Sequence, residues 1–354
     1  MKATVLIDTY NHEPFIERAI SSVLEQDMSL DDVEILVVDD GSTDRSPEII
    51  RGFEPRVRYL PKPNGGQASA FNFGLAQARG EIIAFLDGDD WWEKEKLRTI
   101  LETFREHPDT GAVGNGLYEV DAEGRRLFVN VPDREYRLFF KTVEEGRQFW
   151  ELMSFMGTSR LAICKAVVDK ILPVPEALVI EADEYLATVA VAISGAVVLD
   201  KPLTNYRFHP GNLYQFSKFD QKKERRKFNA LEALVQELPA KLRAWNVSED
   251  VIEMLLRGRR IEVERMRLSL NGGSPLRTFR VERLAYGTTY SKVTLRHSLF
   301  HKLVLLQSLL LPPRMFYRLR RIYAEKGLAK LRGWTGSPIP AVQLVNRRPE
   351  PGSR

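Results

Sequence analysis

An α/β fold is predicted by three features of the sequence: a mostly parallel sheet with flanking helices, followed by an α-helical C-terminal region. Ile82-Ile83-Ala84-Phe85-Leu86 is an unbroken apolar run, the mark of a strand buried on both faces of a parallel sheet. Similar short runs precede it, separated by segments of helical periodicity, giving β-α-β-α-β-α-β. Each run ends in a cluster of polar residues, and in an open parallel sheet ligands bind outside the carboxyl ends of the strands.

The elements follow in order. Residues 4–7 form a short buried strand, and Asp8-Thr9-Tyr10-Asn11-His12-Glu13-Pro14 then turns, with Pro14 suited to a first helical position. In the helix after it, Phe15, Ile16, Ala19, Ile20, Val23 and Leu24 share one face. A second strand, 33–38, ends in Asp39-Asp40-Gly41-Ser42-Thr43-Asp44; Gly41 supplies the turn, and Ser42 to Asp44 supply caps for the helix near Pro47. Strand 57–60 leads through Asn64-Gly65-Gly66-Gln67 to a helix over 68–78, closed by Gly80. Strand 82–86 then runs into Asp87-Gly88-Asp89-Asp90. Asp8 to Asn11, Asp39-Asp40, Asn64 to Gln67 and Asp87 to Asp90 are thus expected to face one crevice.

With 354 residues, 44% hydrophobic and 28% charged, the chain has room for one large or two medium globular domains. The single cysteine, Cys164, excludes an intramolecular disulfide and fits a reducing compartment. No signal-peptide pattern opens the sequence, and no apolar run reaches the ~18 residues of a transmembrane helix, so a cytoplasmic location is expected. Charge is divided: residues 1–216 carry 23 Lys and Arg against 36 Asp and Glu, and residues 217–354 carry 29 against 12. Two units with different tasks are expected.

Three carboxylates at a sheet end are costly to bury without a counter-charge. Asp87 and Asp89, separated by Gly88, can both turn to one hard cation, and oxygen ligands favour Mg²⁺ or Mn²⁺. A lone Asp-x-Asp is more often a solvated turn. Neither a G-x-G-x-x-G opening a helix nor a G-x-x-x-x-G-K-[ST] occurs, which disfavours a dinucleotide dehydrogenase and a P-loop nucleotidase. An acidic crevice holds a nucleotide diphosphate only through a bridging cation. Tyr10 could stack on a base, and Asp39 or Asp40 could accept a hydrogen bond from base or ribose. Taken singly, Tyr10 as a packing residue and Asp39 as a helix cap are equally good accounts.

On these residues the chain resembles family 2 glycosyltransferases of the GT-A fold. The likeness rests on Thr9-Tyr10-Asn11 with Ser22-Val23-Leu24-Glu25-Gln26, and on Val37-Val38-Asp39-Asp40-Gly41-Ser42-Thr43-Asp44. It continues through Asn64-Gly65-Gly66 with Ala70-Phe71-Asn72-Phe73-Gly74-Leu75, and Phe85-Leu86-Asp87-Gly88-Asp89-Asp90, and it covers residues 3–215. The resemblance implies an inverting, metal-dependent transferase that moves a sugar from a nucleotide-diphosphate sugar, first of all a UDP-sugar, to an acceptor hydroxyl in polysaccharide or glycolipid biosynthesis. It implies nucleotide contacts from Thr9, Tyr10, Asn11, Asp39, Asp40, Asn64, Gly66, Gln67 and Asp87, and a metal on Asp87 and Asp89. Asp8 departs from it, standing where the family usually has a proline or small residue.

Residues 111–217 read as the acceptor half, with a hairpin over 112–120 and 125–131. Glu181-Ala182-Asp183-Glu184-Tyr185 opens an apolar helix ending at Ser194-Gly195; by itself this is capping by negative charge. The family places its catalytic base here, usually as a Glu-Asp pair, which makes Asp183 the first candidate and Glu184 the second. A strand over 196–199 leads to Tyr206-Arg207-Phe208-His209-Pro210-Gly211-Asn212. In several GT-A enzymes a histidine at the matching place joins the metal or diphosphate, and His209 is the candidate for it.

The expected domains are 1–217 catalytic, 218–334 helical and basic, and 335–354 a disordered tail rich in Pro, Gly and Arg. A basic helix opens at Lys222-Lys223-Glu224-Arg225-Arg226-Lys227, and 251–270 carries Arg257, Arg259, Arg260, Arg265 and Arg267. The apolar patch 299–311 lies between Arg296 and Lys302 on one side and Arg314, Arg318, Arg320 and Arg321 on the other. It suits either an interfacial helix on anionic lipid at the inner membrane face or a helix packed on the catalytic domain or on a second subunit of a homo-oligomer. Nucleic acid is disfavoured, because aromatics are not interleaved with the basic residues. The expected acceptor is a saccharide or a lipid-linked saccharide, with a surface polysaccharide or a small molecule as alternatives. Competing accounts are a catalytically inactive GT-A scaffold and a nucleotidyltransferase; the latter usually needs a basic N-terminal loop where this chain is acidic.

Overall fold

The computed structural model describes residues 1–209, 211–212, 220–289, 295–325 and 348–349. Pro210, the expected boundaries at 217 and 334, and the tail 335–354 apart from Arg348 and Pro349 lie outside the described residues.

The N-terminal half alternates strand and helix as the apolar runs dictate. It comprises β1 (Ala3–Thr9), α1 (Ile16–Leu24), β2 (Val33–Asp39), α2 (Ser46–Arg51), β3 (Arg58–Pro61), α3 (Gln67–Leu75) and β4 (Ile82–Asp87). Then come β5 (Trp91–Trp92), α4 (Lys96–Glu106), β6 (Ala112–Val120), β7 (Arg126–Asn130), β8 (Tyr136–Leu138) and α5 (Val143–Leu152). Two 3₁₀ turns, Met153–Phe155 and Thr158–Arg160, precede β9 (Ala162–Cys164), α6 (Lys165–Ile171), α7 (Ala182–Ser194) and β10 (Ala196–Arg207). The C-terminal region is helical, with α8 (Gln221–Ala244), α9 (Glu249–Asn271), α10 (Pro275–Thr289), α11 (Leu295–Leu310) and α12 (Pro313–Glu325). A last two-residue strand, β11 (Arg348–Pro349), pairs with Val129 and Phe128 of β7.

Among the described residues all strands join one sheet, in which β3, β2, β1 and β4 run parallel. β9 is inserted antiparallel between β4 and β6, and β10 lies parallel to β6. The register sets Asp8 beside Asp87 across β1–β4 and Thr9 beside Asp39 across β1–β2. Three of the polar clusters therefore meet at neighbouring strand ends.

Both faces of the central strands are buried. Val5, Ile7, Val37, Ala84 and Leu86 pack under Ile16, Ile20, Ile100 and Phe104 of α1 and α4. Leu6, Leu36, Ile83 and Phe85 face the opposite layer with Phe71 of α3 and Tyr185 and Leu186 of α7. That second core continues into Leu231, Leu234, Val251 and Leu255 of α8 and α9, so these two helices pack directly on the sheet's helical layer.

Two elements differ from expectation. Helix α3 runs from Gln67 to Leu75, not over 68–78, and Gly74 within it lies so close to β1 that a Cβ would sit 2.6 Å from Leu6 Cδ1. β10 spans 12 residues where 196–199 was expected, because Pro202 is accommodated at an irregularity in its pairing with β6.

Candidate functional site

The strand ends of β1, β2 and β4 build the floor of the crevice. Asp39 accepts hydrogen bonds from Ser42 N at 2.8 Å and from Tyr59 Oη at 2.8 Å. Asp40 is buried and accepts from Lys62 Nζ at 2.6 Å, Gly65 N at 2.9 Å, Gly66 N at 2.7 Å and Asn64 Nδ2 at 3.0 Å. Asp40 thus folds the Asn64–Gln67 loop over β2, while Asp39 ties the Ser42 turn to Tyr59 of β3. Gly66 is required there: its φ is +85°, and a Cβ would lie 2.7 Å from Val179 Cα. Asn11, at φ +57°, donates its N–H to Ser42 Oγ, and its Oδ1 accepts from Thr43 N at 2.7 Å, so it ties the β1 and β2 loops together. Tyr10 beside it is 44% exposed, with its ring free of the core.

The acidic turn after β4 meets three other segments. Gly88 passes so near β1 that a Cβ would lie 2.6 Å from Thr9 Oγ1 and 2.9 Å from His12 Nδ1. Asp89 Oδ2 is 3.0 Å from His209 Nε2 and 3.9 Å from His12 Nε2. Burial opposes ionisation of Asp89, but the charge and hydrogen bonding of the two imidazoles outweigh it and hold the carboxyl below its usual range. Arg207 holds the turn from behind, donating N to Asp90 Oδ1 at 2.8 Å and Nε to Asp89 O at 2.9 Å.

A short segment that sequence reasoning missed joins this turn to helix α7. Ser159 Oγ accepts from Asp87 N at 3.0 Å and lies 3.2 Å from Asp87 Oδ2. Its neighbour Thr158 donates N and Oγ1 to Asp183 Oδ2, at 3.0 and 3.1 Å. Gln67 locks the same point, donating Nε2 to Thr158 Oγ1 and accepting from Ala182 N, both at 3.0 Å. Beneath it, Ser159 O accepts from Lys96 Nζ at 2.7 Å and Trp92 Nε1 at 3.0 Å. Two adjacent residues thus position the carboxylates of Asp87 and Asp183 toward one space. His12 was also missed, and its nearness to Thr9 in sequence was the only signal available.

Asp183 and Glu184 diverge. Glu184 is buried and grips Arg259 of α9, with Arg259 Nε 3.0 Å from both carboxylate oxygens and Nη2 in closer contact. Arg259 also meets Glu262 at 2.7 Å and Glu181 at 3.7 Å. Asp183 stays in the crevice.

Carboxylates crowd that crevice. Asp8 and Asp87 are pushed well above the usual carboxyl range, first by burial and then by neighbouring carboxylates that include Asp89 and Asp183. Burial, with the charge of Asp89, pushes Asp90 up to about 7. Among the described residues, Asp8 Oδ1 and Asp90 Oδ2 are buried without a hydrogen-bond partner. Carboxylate oxygens of Asp87, Asp89 and Asp90 lie within 4.8 Å of one another. Oxygen donors with one or two imidazoles fit a divalent cation of the Mg²⁺ or Mn²⁺ kind.

A stability prediction follows. Raised carboxyl pKa values mean that the folded chain binds more protons than the unfolded one between about pH 4 and about pH 7. Without metal, stability therefore rises as pH falls from about 7 toward about 5. Thermal melts in EDTA and in Mn²⁺ test this: Mn²⁺ is expected to remove or reverse that trend, because it stabilises the ionised carboxylates. A metal-free melting temperature that instead falls steadily over this range would contradict it.

Residues 4–170 match the family model described as glycosyl transferase family 2. A Nostoc protein named uncharacterized glycosyltransferase alr2836 is 34% identical over 220 residues, covering 60% of this chain and 66% of its own length. Bacillus subtilis EpsJ, also named an uncharacterized glycosyltransferase, is 39% identical over 129 residues, 36% of each chain. The chain thus spans less than two thirds of these relatives. TarS of Staphylococcus aureus, named a poly(ribitol-phosphate) β-N-acetylglucosaminyltransferase, is 35% identical over 111 residues, 30% of this chain and 19% of TarS. A crystal structure of TarS 1-349 in complex with UDP-GlcNAc shares the fold, with a TM-score of 0.58 and 18% identity over 92% of both chains.

Proposed function

We propose, from the match of residues 4–170 to the glycosyl transferase family 2 model, that the chain is an inverting glycosyltransferase that uses a nucleotide-diphosphate sugar. The observation that carries this reading is the Thr158-Ser159 pair, which fixes Asp183 on one side of the crevice and Asp87 of the acidic turn on the other. The exposed Tyr10 ring would cover the base, above a floor made by Asp39, Asp40 and the Asn64–Gln67 loop. A UDP-sugar is the first donor to test, on the likeness to a protein solved with UDP-GlcNAc.

Asp89, Asp87 and His209 would hold a divalent cation, which when bound offsets charge on the leaving diphosphate. Asp183 would take the proton from the acceptor hydroxyl as that oxygen attacks the anomeric carbon from the face opposite the diphosphate. Its two Thr158 hydrogen bonds would orient it for that role. Glu184, engaged by Arg259, would instead anchor the start of α7 to α9. An acceptor in polysaccharide or glycolipid synthesis fits relatives such as TarS.

The direct test is a calorimetric screen of UDP, GDP, dTDP and CMP, each with and without Mn²⁺. One diphosphate binding in a metal-dependent way is expected. A folded sample that binds none would favour a non-catalytic scaffold.

We also propose that α11 and α12 rest on an anionic lipid surface. No helix among the described residues is long and apolar enough to cross a membrane. Yet Leu303, Leu306 and Leu310 are exposed along one face of α11, Met315 and Leu319 are exposed on α12, and Lys302 and Arg318 are exposed beside them. Replacing Leu303, Leu306 and Leu310 together by Ser is expected to reduce co-sedimentation with phosphatidylglycerol vesicles about tenfold or more. Equal sedimentation of variant and parent would refute the surface.

A further inference from the structure

We propose that a cavity beside the donor crevice binds phosphate groups carried by the acceptor. The inference rests on the transferase reading above and adds the chemical class of acceptor.

The cavity, about 840 Å³, lies between the nucleotide-loop residues Asn64 and Gly65, Val179, and the first turns of α8. Lys222, Arg225 and Arg226 form its α8 wall, and none of its lining residues among those described is acidic. It adjoins the candidate base through a short stretch of chain: Gln67 N donates to Val179 O at 3.1 Å, and Gln67 Oε1 accepts from Ala182 N next to Asp183. An acceptor with its hydroxyl at Asp183 would extend across Val179 into this cavity.

The charges there are available for a ligand. Lys222 and Arg226 are exposed and have no carboxylate partner among the described residues. Among the described residues, Arg225 donates to the neutral side chain of Asn271, at 2.9 Å. Asp40, behind the Asn64 loop, is already offset by Lys62 and by loop N–H groups. Asp220 accepts from Lys222 N, so the backbone at the helix start is capped and the side chains are the recognition groups. Elsewhere in the helical region Arg243 pairs with Glu249, Arg259 with Glu184, Arg265 with Glu282 and Arg267 with Glu232. Among the described residues, Lys222 and Arg226 thus place charge without a carboxylate partner on a concave wall. Guanidinium forks and an ammonium group in one wall suit phosphodiester oxygens, whereas a neutral saccharide gains little from them.

The test titrates the full chain with a glycerol-phosphate oligomer, with maltohexaose as the neutral control, and with the diphosphate that the screen selects. The parent chain is expected to bind the phosphate oligomer more tightly than maltohexaose. The double variant Lys222→Ala, Arg226→Ala is expected to lose about tenfold or more in oligomer affinity while nucleotide affinity stays within about twofold. Unchanged oligomer binding in the variant, or a parent that does not distinguish oligomer from maltohexaose, would overturn the proposal. A parallel loss of nucleotide affinity would also overturn it, by assigning the cavity to the donor. The oligomer titration can be read whether or not any nucleotide binds, so failure of the donor reading is seen separately.

Discussion

In Asp89→Ala, Mn²⁺-dependent nucleotide binding is expected to fall on the order of a hundredfold or more, while the fold is retained. Asp89 is the carboxylate the structure keeps ionised, held below its usual range by the facing His12 and His209 while Asp8, Asp87 and Asp90 are raised. It is therefore the group in this cluster best prepared to ligate a cation at neutral pH. Removing it also relieves charge crowding on Asp8 and Asp87, so the metal-free variant should melt no lower than the parent. Calorimetry with and without Mn²⁺ reads the first effect and a thermal melt reads the second. Parent-like binding in Mn²⁺ would remove Asp89 from the metal site.

Asp183→Asn is expected to lower turnover by about 10²–10⁴-fold with donor affinity nearly unchanged. Asparagine can still accept from Thr158 N, so the α7 start should hold its place while the proton acceptor is lost. Glu184→Ala is expected to do the opposite. It leaves Arg259 short of its closest partner, a loss of up to about 3–5 kcal/mol for a buried pair, and lowers the melting temperature more than the chemistry. If Glu184→Gln abolished turnover while Asp183→Asn did not, the roles would be reversed.

The central sheet was legible because its strands are buried on both faces and so read as apolar runs, and because polar residues collect where those runs stop. The hairpin of β6 and β7 was legible from the turn at Asp121 to Gly124, and helix α7 from an apolar run between an acidic start and Gly195. Thr158 and Ser159 were not, because their importance comes from β9 entering antiparallel between β4 and β6, which brings chain segments 72 and 25 residues apart into hydrogen-bond contact. No local periodicity encodes that insertion. Charge counting also misled in detail: Arg259, Arg260, Arg265 and Arg267 read as a basic face, but each pairs with a glutamate. Pairing depends on which helix faces which. The same limit applied to Asp183 and Glu184, adjacent in sequence but turned by one helical step toward different partners, Thr158 and Arg259.

The central claim is a single in-line displacement with Asp183 as the base. It is tested most directly by the anomeric configuration of the first product released from the nucleotide sugar, followed by proton NMR before mutarotation. Transfer to an acceptor, or slow transfer to water, serves equally. The account predicts a product anomer opposite to that of the donor. A product that keeps the donor's configuration would contradict it.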